Sequence, residues 1–282
     1  MRLISKSKYL SGLQCRKLFW TSVLKPASLP PIDAATQAIF DQGHEVGDLA
    51  KTLFPGGAEI AGEPWKFADL MARTREEMMK RVPLYEAAFG ARNAFARADI
   101  LIPVEEEAWD IVEVKSGTEV KPVNILDLSL QRYAAESAGL KIRKCFLMHV
   151  DNTYARRGEV EAEKLFARED VTAAVIEEMK NVEPNLDALL AVLSLPKAPN
   201  VPIGPHCDDP FVCPLHDVCW EFLPEDNPLR VNGFNKDEAF KLIHRGILKI
   251  GEMPVYDVPG FGLKKGKSTG GYVPFKLGEK QN

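Results

Sequence analysis

The sequence predicts an α/β fold in which helices pack on a mixed central sheet. Between residues 83 and 115, three short alternating or apolar runs are separated by turn residues, a pattern typical of a three-stranded meander. Helical periodicity precedes this region and follows it, and a further apolar run covers 144–150. The order helix, three strands, helix, strand indicates helices layered on a sheet that contains both parallel and antiparallel pairs.

Proline and glycine divide the chain into its elements. The predicted elements are helices over 33–53 and 64–80, strands over 84–89, 94–102 and 109–115, a helix over 123–138, a strand over 144–150, a helical region over 159–195 and a short helix over 235–248. Pro55-Gly56-Gly57 ends the first helix and Gly139 closes the one before the last strand. We expect a main domain over 1–223, followed by a short helical extension and a flexible tail over 224–282.

Composition excludes some classes of protein. The net charge of -4 argues against coating nucleic acid by bulk attraction, although an enzyme can confine basic residues to one groove. No apolar stretch approaches the roughly 20 residues that span a bilayer, and the N-terminus lacks a signal-peptide core. We therefore expect a soluble, cytoplasmic protein with no membrane partner.

Two neighbouring predicted strands carry charged residues among apolar ones. Glu113 and Lys115 point the same way because side chains alternate along a strand. Asp99 lies one strand earlier, where an ionised carboxylate is costly to bury without a cation or donors. Two such acids can hold Mg²⁺ or Mn²⁺, and Lys115 can orient or help deprotonate a water and neutralise charge on a phosphate. The same residues thus form a candidate phosphodiester-cleaving site.

The alternative at these positions is a structural ion pair. Glu-x-Lys occurs twice more, at 119–121 and 178–180, so the spacing alone indicates nothing. The apolar flanks, the acid on the neighbouring strand and the helix that follows with Gln131 favour a site. Asp110 points to the opposite face from Ile111 and is expected to be solvated.

Four of the five cysteines form a second candidate site. Cys207, Cys213 and Cys219 are spaced C-x5-C-x5-C in a proline-rich loop, and soft thiolates favour zinc or an iron-sulfur cluster. Cys15 can supply a fourth thiolate if the N-terminal segment folds back against this loop. Cys145, within an apolar run, is expected to be a buried strand residue.

The motifs resemble a known superfamily. Ala98-Asp99-Ile100, Ile111-Val112-Glu113-Val114-Lys115 and Leu130-Gln131-Arg132-Tyr133 are similar to the PD-(D/E)XK nucleases, specifically their RecB/Cas4-like branch. The resemblance covers about residues 5–222 and implies a restriction-endonuclease-like core.

The resemblance also implies roles for individual residues. Asp99 and Glu113 would bind a divalent metal, the backbone of Val114 would add a ligand, and Lys115 would serve the water and the phosphate. Gln131 and Tyr133 would correspond to the branch's helical Gln and Tyr, although the branch separates them by four positions and this chain by two.

Two further ligands follow from the resemblance. The segment 41–47 resembles the first-helix segment from which members of the branch often contribute a metal-site His. His44 is the candidate here, although the family position falls at Gly47, and a helix-surface histidine is the alternative. Glu86 matches the acid that the family places on its first strand.

Cysteine-bearing members of the branch hold a [4Fe-4S] cluster with one N-terminal and three C-terminal cysteines. Ser7 to Trp20 resembles the segment that contains their first cysteine, so the resemblance implies a cluster on Cys15, Cys207, Cys213 and Cys219. Those proteins typically show C-x2-C-x5-C, whereas both gaps here have five residues. Zinc, with His206 or His216 replacing a thiol, is the alternative.

The implied function is a divalent-metal-dependent DNA nuclease, in particular an exonuclease on single-stranded ends, that hydrolyses phosphodiester bonds with a metal-activated water. The alternative is a catalytically silent iron-sulfur or zinc nucleic-acid-binding module or partner subunit. The chain also resembles the N-terminal part of larger uncharacterised proteins that contain a DUF2779 domain. RNA as substrate, a homo-oligomer, and partner nuclease or helicase subunits all stay open.

Overall fold

The computed structural model describes residues 3–254 and shows a mixed sheet with helices on both faces. The strands are β1 (Ile4–Ser5), β2 (Ala58–Glu59), β3 (Leu84–Ala91), β4 (Ala94–Val104), β5 (Ala108–Lys115), β6 (Lys141–Val150) and β7 (Phe166–Asp170). The helices are α1 (Lys6–Gln14), α2 (Arg16–Leu24), α3 (Ala34–Lys51), α4 (Phe67–Met78), α5 (Pro122–Ser137), α6 (Ala162–Leu165), α7 (Thr172–Leu193), α8 (His216–Trp220) and α9 (Lys236–His244).

The seven strands run in the order β2-β3-β4-β5-β6-β7, with β1 paired to β4. β3, β4 and β5 form the predicted antiparallel meander, and β6 and β7 are also antiparallel. β5 and β6 are parallel, and α5 makes the crossover that a parallel pair requires. The predicted mixed sheet is therefore confirmed.

Alternation along β5 divides the core between the two faces. Ile111 faces the large apolar cluster that Leu128 of α5 joins, together with side chains of α1, α2 and α7. Val112 faces the opposite cluster, which contains Ala50 of α3. Because Glu113 follows the alternation of Ile111, its side chain is directed toward α5.

The structure corrects the prediction of one helical region over 159–195. β7 (Phe166–Asp170) lies between α6 and α7 and pairs with β6 at the edge of the sheet. Its sequence, Phe-Ala-Arg-Glu-Asp, is polar because an edge strand is held by backbone hydrogen bonds and buries little. The two-residue strands β1 and β2 were not predicted either, since two residues carry no periodicity.

The described residues divide into two compact units. One comprises 3–201 and 206–217, and the other comprises 202–205 and 218–254. In the second unit, α9 confirms the helix predicted over 235–248. It ends earlier than predicted, at His244, and Gly246 with φ 86° follows. Asn235 caps this helix by accepting hydrogen bonds from the backbone of Asp237 and Glu238. The domain boundary predicted at residue 223 stays a prediction, and the part of the predicted tail that follows residue 254 lies outside the described residues.

Within residues 3–254, the helices are too short or too polar to cross a lipid bilayer.

Candidate active site

Asp99 and Glu113 meet at the end of the meander. Ile100 of β4 pairs with Val112 of β5, so the next residues in that register, Asp99 and Glu113, lie side by side. Oδ2 of Asp99 accepts a hydrogen bond of 2.8 Å from the backbone N–H of Val114. The strand pairing therefore brings together the two acids that the sequence pattern identified.

Glu113 is the most deeply buried carboxylate of the site, with 1% of its surface exposed. Its Oε2 accepts a hydrogen bond of 2.6 Å from Nε2 of Gln131. Its Oε1 accepts one of 2.9 Å from Nζ of Lys6 and a second from Nζ of Lys115. Burying an unpaired carboxylate costs several kcal/mol, and these donors offset that cost for Glu113.

Helix α5 contributes a third carboxylate. Asp127 lies four residues before Gln131, so both side chains project from the same face of the helix. Asp127 is 2% exposed; its Oδ1 accepts from Nε2 of Gln131 at 2.8 Å and its Oδ2 from Nζ of Lys115 at 2.8 Å. Pro122 starts the helix, where the missing N–H costs nothing.

Lys6 reaches the same group from the N-terminal segment. It is the first residue of α1 and follows β1, whose Ser5 pairs with Phe95 of β4. Its Nζ lies 3.4 Å from Oδ1 of Asp127, in addition to the contact with Glu113. We call Lys6, Asp99, Glu113, Lys115, Asp127 and Gln131 the carboxylate cluster.

The cluster holds its two lysines in the charged form. Burial alone would lower the pKa of Lys6, but the carboxylates of Asp127 and Glu113 outweigh burial and raise it well above its ordinary value. The same balance of burial against Glu113 and Asp127 raises the pKa of Lys115. Lys115 is therefore an ammonium at neutral pH, and of the roles predicted for it, orientation and charge neutralisation fit better than deprotonation of water.

The surroundings of Asp127 favour its neutral form, whereas those of the two lysines favour the charged form. Burial raises its pKa, and the negative charge of Glu113 raises it further, while Lys6 and Lys115 act in the other direction. When all members are ionised, three carboxylates face two ammoniums, so one negative charge is left over. A site with surplus buried negative charge is suited to a cation.

The donor set fits a hard divalent cation in chemistry and number. Mg²⁺ prefers oxygen ligands and commonly takes one or two carboxylates while keeping several waters. Glu113 shares partners with Asp127, and Oε1 of Gln131 is a buried amide oxygen without a hydrogen-bond partner among the described residues. In the present arrangement no three Cys, His, Asp or Glu side chains of residues 3–254 form a metal-binding group. The fit therefore rests on pairs of carboxylates.

Other predicted residues lie elsewhere. Tyr133 is two positions from Gln131, about 200° around the helix, and is packed in the large core cluster. Burial raises its pKa, and the nearby charges are those of Glu183 and Arg92. His44 is exposed on α3. The structure does not bring Tyr133 or His44 into contact with Glu113.

Glu86 lies on β3 with an unusual backbone. Its φ is 59°, and its side-chain Oε2 is 3.2 Å from Nε of Arg97. The strand pairing of Tyr85 with Ile100 leaves Glu86 beside Asp99 in sequence register. The carboxylate of Glu86 is thus occupied by Arg97 near the rim of the predicted site.

The expectation for Asp110 is wrong. Asp110 is 4% exposed, and Arg143 of β6 donates to its two oxygens at 3.0 and 2.6 Å. The backbone N–H of Lys144 donates to it at 3.0 Å. β5 is flanked by strands on both sides and covered on both faces, so side chains on either face of this strand are buried.

The cysteine loop is folded against the N-terminal segment. Cys207 and Cys213 are both buried, and the N–H of Cys213 donates to the carbonyl of Cys207 at 2.8 Å. Nε2 of Gln14, next to Cys15, donates to the carbonyls of His206 (2.9 Å) and Phe211. The N-terminal segment therefore contacts the cysteine loop, although the cysteines among residues 3–254 do not form a metal-binding group in this arrangement.

The remaining two cysteines differ in setting. Cys219 is half-buried on α8 and belongs to the second compact unit. Cys145 is fully buried in β6, as predicted, and burial raises the pKa of its thiol to about 12. Cys145 is therefore an inert core residue.

Sequence reasoning missed Lys6 and Asp127. Asp127 had a usable signal, since it precedes Gln131 by one helical turn on the same face. Lys6 had none, because it lies 107 residues before Glu113 and only the packing of α1 brings it to the sheet.

Comparison with known proteins finds weak structural likeness. Two crystal structures of the alkaline exonuclease LHK-Exo from Laribacter hongkongensis, one in complex with dAMP, match with a TM-score of 0.38 and 14% identity, over 68% of this chain and 87% of that chain. The crystal structure of SSO0001 matches with a TM-score of 0.32 and 11% identity, over 79% of this chain and 88% of that one. No family model matches the sequence. No curated protein matches it either.

Proposed function

We propose that this protein is a divalent-metal-dependent nuclease that hydrolyses phosphodiester bonds in DNA, acting in particular as an exonuclease on single-stranded ends. The observation that carries the proposal is the carboxylate cluster: three acids and two lysines gathered where β4, β5, α1 and α5 meet. The choice of DNA and of single-stranded ends follows from the sequence resemblance to RecB/Cas4-like nucleases.

The residues divide the work by charge. Glu113, with Asp99 or Asp127, would hold Mg²⁺ or Mn²⁺, with the backbone of Val114 as a further predicted ligand. Such a cation, when bound, neutralises charge on a phosphate and makes a bound water more acidic. Gln131 fixes the orientation of Glu113 and Asp127 by donating to both carboxylates. Lys115 supplies a permanent positive charge beside the reacting phosphate.

The side chains with these roles differ in how far they are exposed to solvent. The side chains of Glu113 and Asp127 are 1% and 3% exposed, whereas that of Lys115 is 28% exposed. A phosphate approaching from solvent would therefore meet the Lys115 side chain before the carboxylates. This arrangement offsets the repulsion between a polyanionic substrate and buried acids.

The test is cleavage of end-labelled single- and double-stranded DNA with Mg²⁺, with Mn²⁺, and with a chelator. We expect products only with the cation, and we expect Glu113→Gln to lose them while keeping the wild-type circular dichroism spectrum. DNA binding without cleavage by the folded wild type would instead support the non-catalytic nucleic-acid-binding module.

We also propose that Cys15, Cys207, Cys213 and Cys219 form a metal site that holds a [4Fe-4S] cluster, with zinc as the competing occupant. The thiolate donor set suits either metal, and the contacts of Gln14 support a site between the N-terminal segment and the loop carrying Cys207 and Cys213. Protein purified without oxygen should be brown and contain about four iron and four sulfide per chain. Colourless protein that contains zinc would support the alternative.

A further inference from the structure

Lys6 occupies the oxygens that a cation would need. Its Nζ is 2.9 Å from Oε1 of Glu113 and 3.4 Å from Oδ1 of Asp127, so one ammonium bridges two buried carboxylates. We propose that Lys6 is a positioning residue that keeps these carboxylates together and is displaced when a divalent cation binds. The proposal rests on the proposed function only in that it assumes a cation site at Glu113 and Asp127.

The first argument is the direction of approach. The side chain of Lys6 is 26% exposed, while those of Glu113 and Asp127 are 1% and 3% exposed. Part of the Lys6 side chain is therefore exposed, while its ammonium lies at hydrogen-bond distance from a carboxylate that is almost fully buried. A cation arriving from solvent has to compete with it for the same oxygens.

The second argument is the difference between the two lysines. Lys115 is fixed within β5 and contacts Glu113 and, at 2.8 Å, Oδ2 of Asp127. Lys6 makes the longer contacts and lies at the first residue of α1, after a strand of two residues. A lysine stem is flexible and its ammonium is readily hydrated, so Lys6 is the group that can leave.

The third argument is charge. With Lys6 in place, three carboxylates face two ammoniums; without it, they face one. Loss of the Lys6 charge therefore leaves a larger surplus of negative charge. That surplus attracts a divalent cation more strongly and removes its competitor, although it makes the cation-free protein less stable.

The test measures Mn²⁺ binding to the whole protein. The electron paramagnetic resonance signal of free Mn²⁺ reports how much Mn²⁺ stays unbound. We expect Lys6→Met to bind Mn²⁺ at least about tenfold more tightly than the wild type, because the effect of one unit charge at contact distance in a partly exposed site lies between its small value in water and its larger value near a protein surface. Lys8→Met is the matched control, because Lys8 lies on the same helix but donates to the backbone carbonyl of Ser22 at 3.0 Å. Lys6→Arg keeps the charge and holds carboxylates more firmly, so this variant should bind Mn²⁺ no more tightly than the wild type.

A second measurement uses the wild-type protein and does not depend on the variant folding. Mass spectrometry after mild acetylation should show that Mn²⁺ increases the labelling of Lys6 and leaves that of Lys8 unchanged. Equal or weaker Mn²⁺ binding by Lys6→Met, absence of Mn²⁺ binding in both proteins, or Lys6 labelling that does not rise with Mn²⁺ would overturn the proposal. DNA cleavage is measured separately. If the protein cleaves DNA but shows none of the effects expected for Lys6, only the role of Lys6 is refuted. If the effects of Lys6 are seen but DNA is not cleaved, only the nuclease function is refuted.

Discussion

Asp110 and Glu113 are two buried carboxylates on the same strand, three residues apart and on opposite faces of the sheet. Asp110 has one cationic partner, and the guanidinium of Arg143 matches it with two hydrogen bonds. Glu113 shares its partners: Lys115 and Gln131 each also bind Asp127, and Lys6 lies close to both acids. One acid belongs to a complete pair, and the other belongs to a group with more acids than cations.

The difference between Asp110 and Glu113 shows that burial of a carboxylate does not by itself indicate function. A structural pair needs one partner of matched charge and geometry, and Asp110 with Arg143 meets that need. A group in which Glu113 and Asp127 share their donors, with Asp99 on the neighbouring strand, has a cost that folding alone does not require. Such an arrangement is typical of a site that binds something positive, and the following predictions test this contrast.

A large effect on the cleavage rate is expected at Lys115. Lys115→Ala removes the ammonium that we propose stabilises charge on the phosphate, and it should lower the cleavage rate by about 100- to 1,000-fold. The fold and the binding of DNA should be largely retained, which gel shift and circular dichroism would check. Wild-type cleavage by this variant would contradict the assignment of the active site.

A smaller effect, on stability and not on activity, is expected at Asp110. Asp110→Asn weakens the pair with Arg143 and should lower the free energy of unfolding by about 1–3 kcal/mol. Arg143 is 41% exposed on its side chain, so water replaces part of the lost interaction. Urea unfolding measures the loss, and the rate of DNA cleavage per folded molecule should equal that of the wild type.

The smallest effect is expected in the pH dependence of stability at Asp127. Because its pKa is raised in the folded protein, the folded state holds this proton at pH values where the unfolded chain has released it. The stability contributed by Asp127 is therefore present at acidic pH and is lost as the pH rises from its ordinary pKa through the raised one.

Asp127→Asn removes this titration. In metal-free buffer, the stability of the wild type relative to Asp127→Asn should decline as the pH rises from about 4 toward neutrality, the range just above an ordinary Asp pKa. Thermal melts of both proteins across that range measure the difference. A relative gain by the wild type with rising pH would mean that Lys6 and Lys115 outweigh burial.

The sequence predicted the parts of the site that local geometry determines. Strand alternation placed Glu113 and Lys115 on one face, and the meander brought Asp99 beside them, because antiparallel neighbours are close in sequence. The helix after β5 was also predicted, and Gln131 reaches Glu113 from it. Each of these relations spans fewer than about 20 residues, within the reach of pattern and spacing.

The sequence could not predict what depends on distant packing. Lys6 joins the cluster only because α1 packs beside α5, and Asp110 is buried only because Arg143 arrives on β6 from 33 residues away. The edge strand β7 was taken as helix because backbone pairing holds it and its side chains show no period of two. The roles of Tyr133, His44, Glu86 and the cysteines stay predictions.

The most direct measurement compares Glu113→Gln with Asp110→Asn on one end-labelled single-stranded DNA, with enzyme in excess and Mg²⁺ present. The two variants make the same kind of change at buried positions of one strand. Our account predicts that Glu113→Gln lowers the rate by about 1,000-fold or more, the scale of several kcal/mol of lost charge stabilisation, while Asp110→Asn keeps it. Equal rates in the two variants, or loss only in Asp110→Asn, would contradict a metal-dependent active site at the carboxylate cluster.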